Sequence, residues 1–155
     1  MDKAEQSRES TLRKSLLCAC SKATETEMSA ALAAFSASHG GADLRPPESG
    51  LVMVRGRVGG VGNAFNIGEA VVTRASVRLA DGRVGHSYLM GRFGSKARLA
   101  ATIDALGQDP IDRRALEDAF VALVLRRVAR EDATRHEEAA ATRVNFFTLV
   151  RGEDI

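Results

Sequence analysis

Asp81-Gly82 separates two runs in which residue types alternate, Ala70–Leu79 before it and Arg83–Arg92 after it. An Asp-Gly pair in that setting is a strong hairpin signal, because both central positions of a type I′ turn need positive φ. It commits the middle of the chain to antiparallel strands. Within Ala70–Leu79, Thr73, Ala75, Val77 and Leu79 share one face, and Arg74, Ser76 and Arg78 share the other. An earlier run, Leu51–Val58, is rich in β-branched residues and sets Val52, Val54 and Val58 opposite Arg55 and Arg57. Gly59-Gly60-Val61-Gly62-Asn63 between these runs reads as a turn or loop. The expectation is an antiparallel meander with one basic face.

Helical patterns flank this sheet. Leu12, Leu16 and Cys20 recur every four residues, as one face of a helix requires. Thr24 and Glu27 fit a capping box that starts a second helix, with Met28, Ala31, Leu32 and Phe35 apolar and Gly40-Gly41 as its expected end. Asp43–Gly50 contains Pro46-Pro47 and should be extended. After the meander, Ser95–Leu106 is helical and stops at Gly107. Asp109-Pro110 then caps a long helix running to about Thr142. Its middle, Phe120–Leu125, is apolar all round and is expected to be covered on several sides, whereas Arg130–Ala141 is polar. Val144–Val150 reads as a final strand with apolar residues on both faces. The fold class expected is α+β: an antiparallel meander with a C-terminal strand, flanked by N-terminal helices and a long helix in the C-terminal half.

A chain of 155 residues is expected to form one domain over 1–155. Trp is absent and Phe numbers only six, so the core falls to Val, Leu, Ile and Ala. Such a core can be thin, which leaves apolar surface for another subunit to complete. No apolar run is long enough to span a bilayer, and the polar N-terminus resembles no secretory signal. The two cysteines, Cys18 and Cys20, are too close to staple a fold, which suits a reducing cytoplasm. The net charge of +2 hides a basic centre: residues 44–98 carry eight Arg and one Lys against three acids. That centre suits an anion or an acidic partner surface.

The glycine loop could turn backbone N–H groups toward a phosphate. It lacks the Walker Gly-Lys-Ser/Thr ending and the GxGxxG spacing, so we read it first as a tight, bulged connection. Arg55, Arg57, Arg74, Arg78 and Arg92 could clamp a phosphate or phosphonate, or form a solvated or protein-contacting sheet face. His86 could act as an acid or base, or be simply hydrogen-bonded. The three histidines are far apart in sequence, and Cys18-x-Cys20 points its thiols to nearly opposite sides of a helix, so no metal site is expected. No nucleophile elbow occurs, and aromatics do not interleave the basic residues, so neither hydrolase nor single-strand nucleic-acid chemistry is indicated.

Five segments carry a resemblance. They are P-E-S-G-L-V at Pro47–Val52, R-x-G-G-x-G at Arg57–Gly62, T-R-A-x-V-R-L-x-D-G at Thr73–Gly82, G-R at Gly91-Arg92 and R-V-N-F-F-T-L-V-R-G at Arg143–Gly152. In order and spacing they resemble PhnG, the G-subunit family of the bacterial carbon–phosphorus lyase system. The sequence departs from the pattern at Val61, where threonine is expected, and at Asn145, where aspartate is expected. The resemblance implies a non-catalytic subunit of a cytoplasmic core complex with subunits H, I and J, working with the L protein. In that system MgATP and methylphosphonate become α-D-ribose 1-methylphosphonate 5-triphosphate, with adenine released, during organic phosphonate catabolism. It further implies no cofactor in this chain, with MgATP a substrate of the complex, and neither nucleic acid nor membrane as partner. Candidate binding or interface residues are Arg55, Arg57, Gly59, Gly60, Gly62, Arg74, Arg78, Arg92, Arg143, Phe146 and Phe147. Two other readings stay open. One is a stand-alone phosphate- or phosphonate-binding enzyme in which the arginines converge on His86 or Glu69. The other is a basic nucleic-acid-binding module.

Overall fold

The computed structural model describes residues 3–35, 41–57 and 62–142. The expected C-terminal strand at 144–150 lies outside them. The architecture is α+β, with helices before and after a three-stranded antiparallel sheet whose strands lie side by side in chain order.

Helix α1 (Lys3–Lys22) buries Leu16, Ala19 and Cys20, while Leu12 stays exposed. The Thr24–Glu27 capping box forms. Thr24 Oγ1 accepts from Glu27 N–H at 3.2 Å and Glu27 Oε2 accepts from Thr24 N–H at 2.8 Å, which starts α2 (Glu25–Ala33). This helix ends earlier than Gly40-Gly41. Its last turn tightens so that Phe35 N–H bonds Leu32 C=O at 2.9 Å, which ends it without a glycine; Gly41 instead opens a strand.

Strand β1 (Gly41–Gly56) absorbs the extended Pro46-Pro47 segment, which an edge strand tolerates because proline donates nothing to a ladder. Its register with β2 (Phe65–Leu79) slips on both sides of Arg45 and again between Val54 and Arg55. That last slip breaks the expected alternation of Val52 and Val54 against Arg55. Arg57 follows the strand, and Val58 is not among the described residues. β3 (Val84–Met90) pairs with β2 only over Val72–Arg78. The distal halves of β1 and β2 therefore form a two-stranded ribbon beyond the third strand.

The β2–β3 hairpin is present, but its turn is not type I′. Leu79 N–H donates to Arg83 C=O at 2.8 Å, Gly82 N–H donates to Leu79 C=O at 3.0 Å, and only Gly82 takes positive φ, +94°. These are the bonds of a three-residue loop with a glycine bulge. Asp81 stabilises it by accepting from Arg83 N–H at 3.0 Å, so the aspartate need not adopt positive φ.

Thr73, Ala75, Val77 and Leu79 line the buried sheet face as their alternation predicts. Helix α3 (Gly94–Leu106) packs across that face, with α1 and α2 on its other side. It is surrounded, and Ala97, Ala100, Ala101, Ile103, Ala105 and Leu106 are all buried. Its alanines let the layers approach closely. So does Gly85, where a Cβ would overlap Ala101 C=O and Ala105 N. Asp109 caps the next helix by accepting from Ile111 and Asp112 N–H, with Pro110 first. α4 (Pro110–Leu116) runs through one π turn (Glu117–Val121) into α5 (Ala122–Ala141). The extra residue of the π turn moves the buried stripe from Leu116 and Phe120 onto Val121 and Val124. Leu123 and Leu125 are left exposed, so Phe120–Leu125 is covered on one side and not on several.

Candidate functional site

Three of the motif segments meet on the sheet. Glu48 lies opposite Arg74 and Ser49 opposite Thr73, while Arg74 lies opposite Tyr88 on the other strand. Thr73 is fully buried, and its hydroxyl is used three times. It donates to Gly91 C=O at 2.6 Å, accepts from Phe93 N–H at 3.1 Å and shares a 2.8 Å bond with Ser49 Oγ. One side chain thus locks β1, β2 and the β3–α3 junction, joining P-E-S-G, T-R-A and G-R.

On the opposite, outer face, Arg74 forms a salt bridge with Glu48, which also accepts from Arg45 Nη1 at 3.0 Å. The two guanidiniums, Arg74 first, hold the Glu48 carboxyl below its usual range. A cavity of about 370 Å³ opens here over Ser49–Val52, Val72 and Tyr88. Around β3 a second groove, of about 530 Å³, includes Arg13, Arg45, Arg74, Ser76, His86 and Tyr88. Arg13 is held by the buried Asp104, Nε to Oδ1 and Nη2 to Oδ2, both at 2.7 Å. This bond raises the Arg13 pKa. Asp104 also accepts from His86 N–H at 2.9 Å. Each guanidinium in the groove is thus committed to a carboxylate of this chain.

The arginines singled out in the sequence do not converge. Arg55 stands opposite Asn66 and Arg74 opposite Glu48. Seven strand residues therefore separate Arg55 from the Arg74 patch, roughly 23 Å at the usual rise. Arg55 donates to Ala64 C=O at 3.3 Å. Arg57, Arg78 and Arg92 are exposed, with no ion-pair partner among the described residues. Gly62 is exposed at a bend. Gly59, Gly60, Arg143, Phe146 and Phe147 lie outside the described residues. Glu69 stands opposite Met53 on the ribbon, far along β2 from Ser76 and its partner His86.

Some chemistry was not visible in the sequence. Ser76 Oγ and His86 Nδ1 are 2.9 Å apart, a cross-strand pair. The signal was the turn itself, since pairing about Asp81 sets residue 76 opposite 86. Asp104 is a second such residue, and its one sequence signal is that it continues the Ala97–Ala100–Ala101 stripe at helical spacing. Cys20 is buried and its thiol is pushed up to about 12, chiefly by burial, which keeps it protonated, whereas Cys18 is exposed. Among the described residues no group of three or more His, Cys, Asp or Glu is placed to hold a metal ion, and no helix is long and apolar enough to cross a membrane.

The ribbon carries unpacked apolar side chains on both of its strands. Leu51, Met53 and Ile67 are each about 60 % exposed, and Phe65 and Val54 are exposed beside them. Isolated two-stranded ribbons are marginal in water, so this one calls for a covering surface.

Comparison with known proteins points the same way as the motifs. Residues 11–152 match the family described as phosphonate metabolism protein PhnG. A protein of Rhizobium meliloti (strain 1021) named alpha-D-ribose 1-methylphosphonate 5-triphosphate synthase subunit PhnG is 51% identical over 133 residues, which is 86% of this chain and 85% of that protein.

Proposed function

The chain belongs to the PhnG family of phosphonate metabolism proteins, and we propose that it is a non-catalytic subunit of an α-D-ribose 1-methylphosphonate 5-triphosphate synthase in organic phosphonate catabolism. It assembles with the other core subunits, H, I and J, and with the L protein, and the complex takes MgATP and methylphosphonate as substrates. The exposed ribbon carries this reading: a lone domain gains nothing from unpacked Leu51, Met53, Phe65 and Ile67, whereas an assembled one buries them. Arg55 and Arg57 near its end, with Arg78 and Arg92 on and beside the sheet, are cations available to a partner's carboxylates. The unpaired cysteines suit a reducing cytoplasm.

The same geometry disfavours a stand-alone enzyme. The groove arginines are held by Glu48 and Asp104, and the Ser76–His86 pair has no carboxylate bonded to the imidazole among the described residues. The deciding experiment incubates MgATP and methylphosphonate with the chain alone and with the co-expressed subunits, and measures adenine release and co-purification. Release is expected only from the assembly, and Ser76→Ala and His86→Ala assemblies should retain it. Adenine released by the lone chain overturns the non-catalytic role, and failure to co-purify overturns the assembly role.

A further inference from the structure

β3 has an outer edge on which, among the described residues, no strand pairs. The hydrogen bonds fix which backbone groups point there. Arg83 C=O and Gly91 N–H both bond β2, at 2.8 Å. Antiparallel pairing alternates, so odd-numbered residues face β2 and Val84, His86, Tyr88 and Met90 turn their N–H and C=O outward. The chain itself satisfies the first part of this edge. Gln108 Nε2 donates to Val84 C=O at 2.7 Å, and Asp104 accepts from His86 N–H at 2.9 Å. From His86 C=O through Tyr88 to Met90, no described residue takes the outward groups.

This stretch is also not blunted. Val84–Met90 contains no Pro, Lys or bulge, and its register is regular. The outer edge of β1, by contrast, is interrupted by Pro46-Pro47 and slipped register. The open stretch of β3 borders the groove of about 530 Å³, between β3 and Arg13 and Leu17 of α1. Leu17, Leu89 and Ala100 make its lining partly apolar, and Arg45 and Arg74 contribute charge. The three guanidiniums there outnumber the two carboxylates, Glu48 and Asp104, that hold them.

We propose that the Tyr88–Met90 edge receives an extended segment of a partner subunit as a fourth strand. This rests on the assembly reading above and names the contact. Pairing opposite Tyr88 places one incoming side chain on the outer face next to Tyr88, with Arg74 one strand further in, and its two neighbours on the inner side toward Leu17 and Leu89. The fitting segment is therefore apolar at the inward positions and acidic at the outward one. Main-chain bonds supply affinity, and the alternating side chains supply selectivity.

Amide hydrogen exchange of the free chain and of the reconstituted synthase complex tests this. The Leu89 amide faces β2 and serves as an internal control, slow in both states. Tyr88 and Met90 amides should exchange fast in the free chain and slow by about 100-fold in the complex. Protection already present in the dilute free chain would assign the edge to a segment of this chain. Protection growing with free-chain concentration would assign it to a second copy. Either result overturns the proposal. So does fast exchange of both amides in a complex that has formed. A chain that joins no partner overturns the assembly reading and this contact with it. Tyr88→Pro removes the outward N–H in addition to the side chain that Tyr88→Ala removes, a loss edge strands tolerate, and should weaken assembly about tenfold more than Tyr88→Ala. Equal effects of the two would also refute it, and if the proline variant does not fold, exchange in the native chain still decides.

Discussion

Arg13→Ala exposes what the fold invests in its buried charge. Asp104 is the one buried ionisable acid among the described residues, and its carboxylate is closed off from water. Its oxygens receive two 2.7 Å bonds from Arg13 and one 2.9 Å bond from His86 N–H. Removing the guanidinium leaves the carboxylate with a single backbone donor. Truncating one partner of a buried pair costs about 3–5 kcal/mol. Arg13 itself is 51% exposed, so water can enter on that side, and about 2–4 kcal/mol is the working figure. For a chain of this size each kcal/mol lowers the melting temperature by roughly 2–4 °C, so a fall on the order of 10 °C is expected. Asp104→Asn should cost less, about 1–3 kcal/mol, because the amide oxygen still accepts from His86 and the released Arg13 head can be hydrated. The double variant should cost clearly less than the sum of the singles, a coupling of at least about 1 kcal/mol. Thermal and urea melts followed by circular dichroism measure all three. An Arg13→Ala melting temperature within about 2 °C of the parent, or strictly additive singles, would refute the pairing as a structural tie.

Acid should act where Arg127 holds Glu27. The Glu27 carboxyl is lowered to about 2, chiefly by its hydrogen bonds from Arg127, against an unfolded value of about 4.3. Its stabilising contribution is therefore complete above the unfolded value and lost as pH falls through 4 toward 2. Arg127→Ala should lower stability at neutral pH, and the difference between parent and variant should vanish below about pH 3, read from urea midpoints across pH. Gly85→Ala should destabilise the chain by more than about 3 kcal/mol, because the methyl group must displace the α3 backbone; an unchanged melting temperature would show that β3 does not press on that helix. Leu51→Ser with Ile67→Ser should leave the isolated chain's melting temperature within a few degrees while abolishing co-purification with the other subunits, since both side chains are mostly exposed in the lone chain.

Local chemistry was the legible part of this chain. The capping box at Thr24–Glu27, the Asp109-Pro110 start and the Thr73–Leu79 alternation each bury or bond as written, because each is decided within a few residues. The errors fall where geometry depends on an inserted residue. A slip after Val54, a glycine bulge at Gly82 and a π turn at Glu117–Val121 each shift a pattern by about one position, and periodicity has no term for that. The site was legible as motifs and not as contacts. Ser49, Gly91 and Phe93 are each distant in sequence from Thr73, and only the strand register lets its one hydroxyl serve all three.

Apolar periodicity has a further limit, because it reports that a residue is to be buried without saying by which chain. Leu51, Met53, Phe65 and Ile67 lie in the open on β1 and β2, while Ala75, Val77 and Leu79 of β2 are sealed by α3. The two groups differ in nothing local. They differ in whether the described residues supply a covering layer, and α3 spans only the part of the sheet that β3 also reaches. Scattered exposed apolar residues would need no explanation, but these cluster on one ribbon whose length exceeds the third strand. On the assembly reading proposed above, the excess ribbon is half of a core whose other half a partner subunit supplies. On that account the stability of the lone chain should be insensitive to the ribbon's apolar residues, and the stability of the assembly should depend on them.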